Sequence, residues 1–347
     1  MKEIAIYGAG MVAVSVYYAL KTLYPSCNVI SFVVTRQEGN PTEIDGIPVV
    51  ILSDFSWADA TILIAVPENL HAEIIEELEK KQLRDYICID SKREAVLMER
   101  YYNVHGQFRS LHSFAYGKNK PEISVFASCF YRDKPLKGKD KLPDWVKPIQ
   151  AGAALTDVRI AECLDNFGEN ISLKNVNYSE LSAMYWIGRH ADGDYLGLFH
   201  YRRILDVSEE DLHRLIYSDI DVILPYPTIH YPNCLEHPAR YLKKADWEAM
   251  LQALAECEPE YAKKLPEVFE GQYFYNYNML IAKKQVFQEY CDWLFPILKR
   301  TEELSVPKGC ERADRYIGYL GESLTTLYFM INRDNLNIAH TGRRMLI

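Results

Sequence analysis

An apolar run, Ile4-Ala5-Ile6-Tyr7, stops at Gly8-Ala9-Gly10-Met11-Val12-Ala13, and residues 14–23 continue with helical character. A G-x-G-x-x-A segment between a strand and a helix constrains the fold more than any other feature of the chain. The glycines allow a tight turn and close backbone approach, and the following helix N-terminus favours an anion. Such a unit needs a parallel neighbour strand and a right-handed crossover. The sequence supplies them, with strands expected at 29–35, 47–50, 61–66 and 86–90 and an amphipathic helix at 71–81. Strands alternating with helices give a doubly wound, Rossmann-like parallel sheet. Gly8, Gly10 and Ala13 are therefore candidate nucleotide-binding residues. Their use stays open among a nucleotide or nucleotide-sugar, NAD(P) and a purely structural turn. The second strand ends Val34-Thr35-Arg36 with no acid for a ribose, whereas Arg36 suits a phosphate.

A chain of 347 residues exceeds one average domain. A basic, glycine-punctuated segment at 100–120 reads as helix plus linker, and a second α/β unit opens at 123–128. The boundaries expected are 1–105 for a Rossmann-like, nucleotide-binding or accessory domain and 122–347 for the second domain. A Lys/Pro/Gly-rich stretch at 132–148 reads as a surface loop with the composition of a lid. Helices are expected at 178–189, 246–257, 284–300 and 312–332, and strands at 195–199, 221–224 and 277–282. There is no internal repeat.

The densest chemistry lies at Asp194-Tyr195-Leu196-Gly197-Leu198-Phe199-His200-Tyr201-Arg202-Arg203. An apolar strand ends in an imidazole, a phenol and two guanidiniums. Ligands of open α/β sheets bind beyond the carboxyl ends of the strands, and the planar Arg fork suits phosphate. A solvated strand end is the alternative reading. Two D-x-D pairs, Asp192/Asp194 and Asp219/Asp221, precede their strands. That places them at the opposite sheet edge, as solvated turns and not as metal ligands.

Net charge is −9 and the pI about 5.6, which argues against a nucleic-acid partner. The eight cysteines form no C-x-x-C pair, so neither a zinc site nor a disulfide framework is expected. The opening residues 3–7 have strand character, so no signal peptide is expected, and no apolar run is long enough to span a membrane. The expected location is the cytoplasm.

The segments KPIQAGAAL, GENISLKNVNYSELSAMYW, DYLGLFHYRR, NYNMLIAKK, YCDWLF and RYIGYLGE stand in one order. In that order the chain resembles a bacterial family of glycosyltransferases from capsule and exopolysaccharide gene clusters, long labelled only as a domain of unknown function. The resemblance covers roughly residues 122–345 and implies a GT-A-like α/β glycosyltransferase domain. It departs at the end of the first strand, where this chain has Ser128-Cys129-Phe130. It implies a nucleoside-diphosphate sugar donor, a UDP-sugar foremost, with a divalent cation (Mn²⁺ or Mg²⁺) as an optional partner. The implied acceptor is a surface polysaccharide or lipid-linked glycan, reached by peripheral association with the inner membrane face. Implied catalytic residues are Glu322 as general base, His200 and Arg202. Implied donor-binding residues are Gln150, Gly152, Asn170, Ser172, Lys174, Asn175, Glu180, Tyr201, Arg203, Asn276 and Asn278, with His340 closing over the diphosphate. A nucleotide-sugar-binding module without turnover, and an NAD(P)-dependent oxidoreductase built on the glycine turn, are the alternatives.

Overall fold

The computed structural model describes residues 2–57, 59–136 and 141–346. Part of the expected lid, 137–140, lies outside the described residues. The first sheet is built from β1 (Lys2–Tyr7), β2 (Cys27–Val34), β3 (Glu43–Ile44), β4 (Ile47–Ile51), β5 (Thr61–Ile64) and β6 (Tyr86–Cys88). Its order is β3-β4-β2-β1-β5-β6, and all pairs but the β3–β4 hairpin are parallel. The hairpin turns at Asp45 and Gly46, both at positive φ (52° and 76°), as a tight two-residue hairpin requires.

Side-chain alternation along β1 divides the core. Ile4 and Ile6 face α1 (Met11–Leu23) and α3 (Ser91–His105), and Ala5 and Tyr7 face α2 (His71–Lys80). Helix α3 starts on an Asp90 cap, whose carboxylate accepts from Arg93 N at 2.8 Å, and ends on Gly106 in the left-handed region.

The second sheet uses β7 (Ile123–Cys129), β8 (Val146–Gln150), β9 (Cys163–Leu164), β10 (Tyr195–His200), β12 (Val222–Pro225), β15 (Leu280–Lys283) and β16 (Ile338–Thr341). Strands β11 (Arg203–Leu205) and β17 (Arg343–Met345) extend it beyond the end of β10, and β13 (Thr228–Ile229) pairs with β14 (Tyr273–Phe274). The main order is β16-β12-β15-β10-β7-β8-β9, with β15 antiparallel to both neighbours. Gly197 is needed at the centre of β10, because a Cβ there would meet Leu280 O of β15 at 2.9 Å.

Helices α4 (Asn175–Tyr178), α5 (Leu181–His190), α8 (Lys244–Cys257), α9 (Pro259–Glu270), α10 (Lys284–Leu304) and α11 (Tyr316–Ile331) bury their apolar stripes on one face. Helix α6 (Leu212–Tyr217) lies on the other, and α7 (Glu236–Tyr241) runs beside the small β13–β14 pair.

The two sheets do not form separate cores. Tyr226 and Ile229 of the second unit join the apolar cluster of the first. The Tyr102 hydroxyl donates to Pro227 O at 2.7 Å, Ile229 N donates to Ser15 Oγ at 2.9 Å, and Arg343 pairs with Glu94.

The strand and helix expectations hold in kind, with end shifts of a few residues. Missed elements were short or carried contrary local signals. Helix α9 contains Pro266, and β16 and β17 gain pairing only from partners far away in sequence.

Candidate active site

His200 ends β10, at the carboxyl edge of the sheet. Its Nε2 lies 2.7 Å from Tyr277 O and 3.8 Å from a Glu180 carboxylate oxygen. Glu180 also accepts from Asn278 Nδ2 at 2.7 Å. Asn278 is fully buried between β15 and α11, where its Nδ2 donates to Gly318 O at 3.2 Å and its Oδ1 accepts from Thr325 Oγ1 at 3.0 Å. Tyr277 and Asn278 are both left-handed (φ 77° and 47°). A bulky residue at positive φ costs about 1–3 kcal/mol and persists where its surroundings over-determine it, commonly at sites that bind. Here the turn aims Tyr277 at the cations: Arg203 and Arg343 stack on its ring at 4.8 and 5.2 Å.

Glu322 lies on α11, 8% exposed, with Oε2 3.3 Å from Nε2 of His237 on α7. His237 is 2% exposed and stacks on Phe274 at 4.1 Å. The approach to Glu322 is not a well-aligned hydrogen bond, and neither ring nitrogen has a hydrogen-bond partner among the described residues. Asn276 is buried beside them, with its Nδ2 on Thr228 Oγ1 and its Oδ1 unpartnered. Unsatisfied buried polar atoms are costly and rare. Two such residues facing one pocket mark a place where the fold leaves hydrogen-bonding capacity unspent. Glu180, His200, Arg203, His237, Asn276, Arg315 and Glu322 all line that pocket.

Arg202 points elsewhere at the same sheet edge, against the Tyr201 ring at 5.1 Å. Burial pushes the nearby Asp133 carboxyl above the usual range, against the pull of Arg202, His200 and Arg315.

The donor set does not suit a divalent cation. A hard ion asks for several oxygen ligands converging on one point, and here two separate carboxylate–imidazole pairs, Glu180 with His200 and Glu322 with His237, stand among guanidiniums. Among the described residues no cluster of three His, Cys, Asp or Glu side chains is placed to hold a metal. The D-x-D pairs are spent where the sequence places them, at the far edge. Asp194 accepts from Glu122 N at 2.9 Å, Asp192 pairs with Lys284 at 2.6 Å, and Asp219 and Asp221 share Lys283 at 2.5 and 2.7 Å.

Several expected donor-binding residues form a different assembly. Asp165 is fully buried and accepts from Gly152 N (2.8 Å), Ala153 N (3.0 Å), Ser172 Oγ (2.5 Å) and Ser182 Oγ (2.8 Å). Gln150 clasps Val158 O and Ile160 N, Asn175 holds Ser179 O and Ser182 Oγ, and Asn170 turns onto Gly168 O and Ser172 N. Lys174 pairs with Glu302 at 2.6 Å. The structure does not bring these side chains into the pocket of His200.

His340 requires a correction. It lies within β16, fully packed between Tyr226 and Tyr275, with Nε2 2.7 Å from the Tyr275 hydroxyl, and burial holds its pKa down to about 3. A neutral side chain locked in a strand core cannot close over a diphosphate. Sequence reasoning missed His237, Tyr277 and Arg315. His237 sits on a six-residue helix whose position only the tertiary fold sets.

In the first unit, Gly8 (φ 122°) is packed so closely that a Cβ would meet Ala65 O at 2.8 Å and Ala13 Cβ at 3.3 Å. The crevice at its switch point is lined by Gly8, Gly10, Thr35, Arg36 and Val66, the place where such sheets bind ligands.

The family profile described as "Domain of unknown function (DUF4422)" matches residues 134–333, more than half of the chain. This chain belongs to the DUF4422 family. The DUF4422 region contains β10, α7, β15 and α11, and so every residue of the pocket except those from the first unit. Among solved structures, the apo structure of the WbbM bifunctional glycosyltransferase matches with a TM-score of 0.55 at 24% identity, over 65% of this chain and 45% of that chain. The likeness shows a shared α/β fold over the matched part alone, and it spans less than half of that chain. No curated protein sequence matches the chain. Among the described residues, no helix is long and apolar enough to cross a membrane.

Proposed function

We propose that this DUF4422 protein is a glycosyltransferase, moving a sugar from a nucleoside-diphosphate donor, a UDP-sugar foremost, to a surface-glycan or lipid-linked acceptor at the cytoplasmic face of the membrane. The observation that carries the reading is the meeting, in one pocket at the carboxyl edge of a GT-A-like sheet, of the Glu322–His237 pair with Arg203 and Arg315. Glu322 takes the proton of the acceptor hydroxyl as its oxygen bonds to the anomeric carbon. The bond from that carbon to the diphosphate breaks on the opposite side, and its electron pair leaves with the diphosphate. A single displacement of this kind inverts the anomeric centre. The arginines meet the charge that develops on the leaving group, preorganised where it appears. His200 and Glu180 line the same pocket.

The test is a screen of UDP-, GDP-, CDP- and dTDP-sugars for nucleotide release, with wild type and Arg203→Ala. Release by wild type, reduced about 100- to 1000-fold in the variant, is the expected result. Saturable donor binding with no release would reassign the protein to a nucleotide-sugar-binding module. Wild-type turnover in Arg203→Ala would remove the arginine from the site.

A further inference from the structure

The glycine turn of the first unit and the pocket of the second open on one cleft. Met11, Pro67, Tyr241 and Tyr277 line both the Rossmann crevice and the pocket that holds Glu322. The two glycines of the turn face different environments. Gly8 is walled in by Ala65, whereas a Cβ on Gly10 would meet nothing nearer than Arg240 Nη1 at 4.0 Å. Gly10 is the N-cap of the thirteen-residue α1, with no side-chain cap and no acidic residue in the first turn. The positive end of that helix is therefore uncompensated by its own side chains.

Arg240 reaches over the turn from α7 of the other unit and, among the described residues, holds only neutral oxygens, Gly39 O at 3.3 Å and Asn40 Oδ1 at 3.4 Å. Among the described residues, neither Arg240 nor Arg36 is paired with a carboxylate, although Glu43 and Glu236 line the adjoining end of the cleft. His237 is buried against the same stretch of cleft as Gly10 and Met11, with both ring nitrogens unpartnered.

We propose that the α1 N-terminus, Arg240 and Arg36 form a phosphate subsite for a second phosphate-bearing substrate, separate from the arginines that face the donor diphosphate. The N-terminal unit is then one wall of the working cleft. An isoprenyl-diphosphate-linked acceptor and a nucleotide present the same group to this turn. The subsite stands on its own geometry, and only its service to an acceptor rests on the transferase reading.

The experiment is calorimetric titration of the full chain with inorganic pyrophosphate, using wild type, Gly10→Asp, Arg240→Ala and Arg203→Ala. Asp is a favoured N-cap, so Gly10→Asp keeps or raises the melting temperature while placing a negative charge where phosphate would sit. Pyrophosphate suits the donor pocket as well, so the expected result is two binding events: one lost in Arg203→Ala, and one that persists in Arg203→Ala and is weakened about tenfold or more by Gly10→Asp and by Arg240→Ala. Competition by farnesyl diphosphate for the event that persists in Arg203→Ala then marks an acceptor subsite, and competition by UDP or NADH for that same event a nucleotide subsite. Pyrophosphate binding that is absent, or equal in wild type and both cleft variants, overturns the subsite. Nucleotide release from a sugar donor alongside that result would leave the transferase reading intact. Gly10-dependent binding without any release would do the reverse.

Discussion

Two buried carboxylates, Asp165 and Glu322, sit in neighbouring polar clusters of the same unit and are treated differently by the fold. Asp165 collects two backbone N–H groups and two hydroxyls, and the Gln150 and Asn175 amides around it are bonded as well. Among the described residues the Glu322 carboxylate makes no hydrogen bond, its approach to the His237 imidazole being poorly aligned, and the neighbouring Asn276 Oδ1 is unpartnered. A polar cluster whose capacity is used up internally holds the chain in place. One whose capacity is left open is available to a ligand. From sequence alone the two look alike, as runs of Asn, Ser, Lys and Glu near strand ends.

The comparison can be broken most sharply by paired variants. Glu322→Gln should lower transfer about 100- to 10,000-fold, the range for removing a general base, with little change in melting temperature. Asp165→Ala should cost about 3–5 kcal/mol of stability by orphaning several buried donors, while turnover per folded molecule is retained. Thermal unfolding and steady-state kinetics on both proteins decide the matter, and an exchange of the two phenotypes would invert the assignment.

Acid comes next in size. Burial, with His237 and Arg240 adding to it, holds His230 down to about 3, and burial holds His340 there too. In the unfolded chain both titrate near the ordinary histidine value, so below it the unfolded state binds protons that the native state does not. Stability is complete above about pH 6.5 and falls as pH drops from there toward 3, by at most about 1.4 kcal/mol per unit for each histidine. Urea unfolding at pH 7 and pH 5 measures it, and a His340→Phe variant should flatten the slope.

The smallest effect belongs to the ion pair of Lys174 and Glu302. The lysine is 41% exposed, and Lys174→Met should cost under about 1 kcal/mol and leave donor affinity unchanged. A loss of donor binding would return this residue to the site.

The sequence by itself determined the alternation of strands and helices, the glycine turn, the delivery of His200, Tyr201, Arg202 and Arg203 at a strand end, and the placement of both D-x-D pairs at the opposite edge. Each of these is set by local periodicity, chain direction and backbone sterics, which are short-range properties. Only the tertiary structure decided that His237 meets Glu322, that Tyr277 and Asn278 turn left-handed beneath the arginines, that the Asn175 cluster is scaffold, that His340 is core, and that the first unit shares a cleft and an apolar interface with the second. Those outcomes depend on which polar atoms find partners far along the chain. Hydrogen-bond satisfaction is a property of the folded neighbourhood, and residue type and spacing do not carry it.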